Sequence, residues 1–150
     1  MDFLPEHVTR SHTLVVARPA AQAIQLFTPE GERAWAAGWD PHYRHPRDGT
    51  LERGMVFTTG QGDEHTIWTV IRCEPENGLM EYVRTTPASR TGTVLVQCTP
   101  LDAQRTRVTV VYSLTALTES GNAVLRELDE DKFRSFIASW EEAIARIPQA

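Results

Sequence analysis

The sequence predicts an α+β fold: a curved antiparallel sheet of six to seven strands around a long C-terminal helix, with two short helices after the first strand. Three observations carry this. Five β-like segments follow one another from about residue 55 to 117, separated only by short turns. No crossover helix is available between them, so the strands must pair antiparallel. From Asn122 to Ile147 the pattern then changes: Leu125, Leu128, Phe133, Phe136, Ile137, Trp140, Ile144 and Ile147 recur at helical spacings, the stripe of a helix with one buried face. A meander followed by one amphipathic helix implies a bent sheet gripping that helix, an arrangement that commonly leaves a cavity between the two.

The elements read in order as follows. Val8 to Ala17, rich in Val and Thr, is a first strand. Pro19 suits the first position of a helix running to Phe27, with Ile24 and Phe27 on one side. Thr28-Pro29-Glu30 starts a second helix with a hydroxyl cap, a proline and an acid in the first turn, carrying Trp35 and stopping near Gly38. Residues 40–54 are polar, hold prolines and glycines, and read as a long loop. The strands are Met55–Gly60, Glu64–Cys73, Leu79–Thr86, Thr91–Thr99 and Arg105–Leu117, with turns at Asn77-Gly78, Pro87-Ala88-Ser89 and Pro100–Ala103. Asp129-Glu130-Asp131 interrupts the final apolar stripe, and Asp129 can cap a new helix. A short segment near 119–128, a kink and a main helix to about 147 are expected.

Composition narrows the function classes. At 150 residues the chain reads as a single domain over 1–150, with ordinary hydrophobic (41%) and charged (23%) contents. A net charge of −5 argues against nucleic-acid binding, because no basic excess exists to release counterions from phosphates. Lys132 is the sole lysine, the other cations being arginines. Cys73 and Cys98 fall in strand patterns and read as reduced, buried thiols. The N-terminal MDFLPEH has neither a basic nor an apolar leader region, and no apolar run reaches the roughly 18 residues of a membrane span. A cytoplasmic monomer or homodimer, with no integral membrane segment, is expected.

Strand alternation assigns the faces. In the last strand Val108, Val110, Tyr112 and Leu114 are more apolar than Arg107, Thr109, Val111 and Ser113, and are placed inward. If the Asn77-Gly78 hairpin pairs Arg72 with Met80, Trp68 lies opposite Arg84 and Val70 opposite Tyr82, all on the same face. Glu81 and His65 then point outward.

This order of elements resembles the START-like superfamily, also called SRPBCC, with its helix-grip fold, and within it the small bacterial members described as polyketide cyclase/dehydrase or lipid-transport-like. The resemblance is carried by TPEGERAWAAGWDP (28–41), TIWTV (66–70), EYVRTTP (81–87), SLTALTESGN (113–122) and FIASWEEAI (136–144), spanning nearly the whole chain. It implies the fold and a cavity, and leaves function open, since the superfamily includes carriers, receptors, cyclases and chaperone regulators. No Rieske Cys/His motif is present, and no cofactor is implied.

The candidate ligand-binding residues are Trp35, Trp39, Trp68, Tyr82, Arg84, Tyr112, Phe133, Phe136 and Trp140, from the elements that would wall such a cavity. The aromatics either fill the core or border a partly open apolar pocket. Arg84 either anchors a ligand together with Tyr112 or lies on Trp68 as a cation–π contact. Asp40, His42 and His45 sit close in the loop, but fix no metal-ligand spacing and read as solvated. Three functions follow. The first is binding of a hydrophobic or aromatic, lipid- or polyketide-like molecule. The second is a cyclase or dehydratase, which needs at least two ionizable residues converging in the cavity, drawn from candidates such as Arg84, Glu81, His65 and Tyr112. The third is a chaperone-activator-like module, which needs an exposed apolar patch and little internal volume.

Overall fold

Seven antiparallel strands form one sheet in the order β1-β7-β6-β5-β4-β3-β2. The computed structural model describes residues 2–148. The strands are β1 (His7–Val16), β2 (His42–His45), β3 (Val56–Gln61), β4 (Glu64–Glu74), β5 (Leu79–Thr86), β6 (Arg90–Asp102) and β7 (Arg105–Ala116). Between β1 and β2 run a helical turn, α1 (Ala20–Ala23), and two 3-10 turns, Ile24–Phe27 and Gly31–Ala34. The chain ends in α2 (Glu119–Glu127) and α3 (Glu130–Ala145). This is the helix-grip arrangement.

One face of the sheet is built from residues in register. Val70, Tyr82, Val94 and Tyr112 form one transverse row, and Cys98, Val108 and Leu14 another. All are buried. Onto this face α3 lays Phe133, Ile137 and Ile144, whose spacing brings them to one side of the helix. Removing each such side chain from water stabilises the fold by roughly 1.5–3 kcal/mol. The helix is held at two further points. Asp129 caps it by accepting from the Lys132 N–H at 2.8 Å, and the Val15 N–H of β1 donates to Glu141 Oε2 at 2.7 Å.

Several boundaries differ from the sequence reading. The helix expected from Thr28 to Gly38 is only the 3-10 turn Gly31–Ala34. The turn's own N-cap is Glu30, without a side-chain cap, while the Thr28 hydroxyl two residues earlier accepts from the Gly31 N–H at 3.0 Å. What stops it is the side chains. The indole N–H of Trp35 donates back to the Leu26 carbonyl at 2.7 Å and that of Trp39 to the Pro29 carbonyl at 2.8 Å, which folds the segment onto itself. The loop over residues 40–54 contains β2, which pairs with β3 at the sheet edge and supplies the seventh strand. Pro100 and Leu101, assigned to a turn, continue β6, with a bulge between Pro100 and Asp102. Arg72 lies opposite Glu81 rather than Met80, because a bulge between Val70 and Arg72 absorbs one residue. Beyond the bulge, Trp68 faces Arg84 and Val70 faces Tyr82, as read. The chain leaves the helix at Leu128 and restarts at Asp129, the anticipated kink.

Candidate functional site

Between sheet, α3 and the segment after the second 3-10 turn lies a cavity of about 550 Å³ that opens to solvent. The sheet contributes Trp68, Arg84 and Tyr112, α3 contributes Phe136, Ser139, Trp140 and Ala143, and the second 3-10 turn with the residues after it contributes Glu32, Trp35 and Trp39. Its deep end narrows to a small void bordered by Phe27, Glu32, Tyr82, Val94 and Val96.

The walls are aromatic and mutually braced. Trp35 meets Trp140 at 5.3 Å between ring centroids, Trp39 meets Trp68 at 5.5 Å, and Phe57 stacks beneath Trp68 at 5.8 Å. Tyr112 is contacted by Phe133 and Phe136, and Phe136 by Trp140. Edge-to-face packing of this kind fixes ring positions while leaving the enclosed space open.

The nine candidate residues divide by placement. Trp35, Trp39, Trp68, Arg84, Tyr112, Phe136 and Trp140 border the main cavity. Tyr82 borders only the deep void, and its hydroxyl donates to the Phe27 carbonyl at 2.6 Å. Phe133 is buried beneath Tyr112, outside the lining. Phe136, expected in the buried stripe, is 41% exposed, because the helix turns its Phe133–Ile137–Ile144 face to the sheet and leaves Phe136 at the mouth.

The polar groups of the lining are unequally satisfied. The Trp68 indole N–H donates to Thr59 Oγ1 at 2.9 Å. Arg90 is clamped by Glu64 through two contacts of 3.0 and 3.1 Å, so its charge is compensated. Arg84 is different. Its guanidinium lies 5.4 Å from the Trp68 ring, and Nη2 donates to Thr86 Oγ1 at 2.8 Å. Its Nε is buried without a partner, and no carboxylate pairs with it among the described residues. The cation–π reading of Arg84 thus holds geometrically, and the guanidinium also borders the cavity. Desolvation, with Arg90 nearby, pulls its pKa down. Gly92 lies opposite Arg84 in the β5–β6 register and packs close on β7, where an added Cβ would lie 1.8 Å from the Ser113 carbonyl oxygen.

Two titratable lining groups carry no hydrogen bond among the described residues: the Tyr112 hydroxyl and the Glu32 carboxyl. Burial raises the pKa of both, well above the usual carboxylate range for Glu32. The sequence reading passed over Glu32, which looks like an ordinary first-turn acid. What aims it inward is Gly31, where a Cβ would stand 1.7 Å from the Gln25 carbonyl oxygen. The turn therefore seats against the preceding one and projects residue 32 into the cavity. His65 is exposed and lies outside the lining, and Glu81 pairs outward with Arg72 at 3.8 Å. Asp40 is held by Arg33 and His42, and among the described residues no three His, Cys, Asp or Glu side chains gather to hold a metal. No helix among them is long and apolar enough to cross a membrane.

No protein-family model matches the chain, and no curated protein matches it in sequence. Solved structures match it in fold. Norcoclaurine synthase from Thalictrum flavum, in complex with dopamine and hydroxybenzaldehyde, superposes with a TM-score of 0.67 at 10% identity, over 97% of this chain and 91% of that one. An uncharacterized protein from Rhizobium leguminosarum gives 0.66 at 13%, over 95% and 97%. DynU16, from the dynemicin biosynthetic locus, gives 0.61 at 16%, over 92% of this chain and 46% of that one. The chain therefore has the START-like, helix-grip fold.

Proposed function

We propose that the protein binds an aromatic, polyketide-like small molecule in the cavity between sheet and α3, seating an anionic or carbonyl oxygen of that molecule against Arg84 and Tyr112. The observation that carries this reading is a guanidinium drawn into an aromatic-walled cavity with no carboxylate opposite it. A buried charge left unpaired is costly, and an acceptor on a ligand would complete it. The volume lies within the usual range for small-molecule sites. Apolar burial would drive binding at about 25 cal/mol per Å² gross, before association costs.

The neighbours lend support at the level of chemistry: norcoclaurine synthase was solved with two small aromatic compounds, and DynU16 comes from a biosynthetic locus. Against a chaperone-activator role stand the open interior and the scatter of exposed apolar side chains such as Val15, Ile67 and Leu101 over different strands. Two free thiols, Cys73 and Cys98, favour a cytoplasmic setting.

Titration of tryptophan fluorescence and melting temperature with naphthoate, naphthalene and a long-chain fatty acid tests the reading. Naphthoate should bind best. Arg84→Gln should weaken naphthoate about tenfold or more, the value of a charge-assisted hydrogen bond, while leaving naphthalene nearly unchanged. Failure of every aromatic probe to quench the tryptophans or raise the melting temperature would remove the proposal, and preference for the fatty acid would favour a lipid carrier.

A further inference from the structure

Binding alone leaves Glu32 unexplained. Of the two carboxyl groups bordering the cavity, Glu64 is committed to Arg90. The Glu32 carboxyl makes no hydrogen bond and no ion pair among the described residues, yet it borders both the main cavity and its deep end. Phe27, Trp68, Tyr82, Tyr112 and Trp140 share that deep end with it. A carboxyl kept for structure is ordinarily satisfied by donors. This one is withheld from them and presented to a ring-lined cavity that also holds the free Tyr112 hydroxyl and an Arg84 with no carboxylate partner.

We propose that Glu32 is the catalytic acid–base residue of this cavity, and that the protein acts on an aromatic β-hydroxy ketone, removing water. The proposal rests on the binding reading above, with Arg84 and Tyr112 donating to the substrate's carbonyl oxygen. The Glu32 carboxylate takes a proton from the carbon next to the carbonyl. The C–H electron pair becomes the carbon–carbon π bond of an enolate, and the carbonyl π pair moves onto the oxygen held by Arg84 and Tyr112. When the enolate collapses, its electrons form the α,β double bond and expel the β-hydroxyl. That hydroxyl leaves as water with the proton carried by Glu32. The carboxylate is regenerated, the products are an unsaturated ketone and water, and no oxidant or reductant is consumed.

Desolvation fits the task, since a carboxyl lifted toward neutrality is a stronger base when ionized and a usable donor when protonated. The titratable groups facing it are Tyr82 and Tyr112 from the sheet, with Arg84, Arg90 and Glu64 farther along the same cavity, whereas α3 contributes Ser139, Trp140 and Ala143, which do not titrate.

The experiment uses β-tetralone, an aromatic ketone with exchangeable α-protons, and the aldol adduct of benzaldehyde and acetone. Binding is read by tryptophan quenching, α-proton exchange by NMR in deuterium oxide, and dehydration by ultraviolet absorbance. Wild type should accelerate both reactions over buffer, with a rate that rises with pH. Glu32→Gln should cut both rates roughly a hundredfold or more while leaving β-tetralone quenching intact and the melting temperature no lower than that of wild type. Glu32→Asp should keep a reduced rate with its pH dependence. β-Tetralone that binds without exchanging, or an equal exchange rate in Glu32→Gln, overturns the proposal and leaves binding standing. No quenching by β-tetralone overturns the aromatic-carbonyl reading and this proposal with it.

Discussion

Glu32 and Arg84 are opposite cases of one problem, a charge-bearing group brought out of water. Arg84 keeps partial partners in Thr86 and the Trp68 ring, whereas the Glu32 carboxyl keeps none among the described residues, so burial raises its pKa in the folded state. This has a consequence for stability. The folded pKa of Glu32 lies above its unfolded value near 4.5, so the folded state binds the proton more tightly. The stability tied to that proton is fully present below 4.5 and is lost as pH rises through the folded pKa. Glu32→Gln has no such titration. The melting temperatures of wild type and Glu32→Gln should therefore nearly coincide in acid and diverge as pH rises, the variant becoming the more stable. Parallel curves across the whole range would mean that the carboxyl is solvated.

At the scale of elements, the sequence was legible where period and capping agreed, and illegible where side chains overruled them. The α3 stripe and its Asp129 cap could be read directly, because both are local. The shared face of Trp68, Val70, Tyr82 and Arg84 was also legible from alternation, and the pairs Trp68–Arg84 and Val70–Tyr82 hold because the bulge takes up the one residue by which the hairpin register differs. The bulge between Val70 and Arg72 was not, since no residue type there demands it. Nor was the shortness of the turn at Gly31–Ala34, which depends on two indole N–H groups finding carbonyls nine and ten residues back. Glu32 was missed for the same reason. Its direction follows from how closely Gly31 packs on Gln25, a tertiary fact. Gly92 gives a test at this scale. It lies between β5 and β7, and a methyl group there would meet the Ser113 carbonyl oxygen of β7 at 1.8 Å, which the paired strands can relieve only by parting. Gly92→Ala should cost about 1–3 kcal/mol in denaturant unfolding and also weaken naphthoate binding, because Arg84 sits opposite in the register. Asp129→Ala, which removes only the α3 cap, should cost about 1 kcal/mol and leave binding alone. Equal effects of the two on binding would dissociate Gly92 from the site.

For the whole molecule, the question is why α3 grips the sheet without closing on it. The helix is anchored along Phe133, Ile137 and Ile144 and tied to β1 through Glu141, while Phe136, Ser139, Trp140 and Ala143 border open space. Aromatic walls around a solvent-open cavity of about 550 Å³ give up the packing of a filled core, at the expense of stability. That cost makes sense if a ligand occupies the space, and it predicts the effect of filling it. Ala143 faces the cavity from α3, with the Trp35 and Trp140 rings among its lining partners. Ala143→Phe should place a ring into existing space, hold or raise the melting temperature, and weaken β-tetralone binding about tenfold or more. In a packed interior the same substitution would force side chains off their rotamers and cost about 1–3 kcal/mol. A variant that loses stability while binding as before would therefore contradict both the open cavity and its use, and one that gains stability while losing the ligand would assign that space to function.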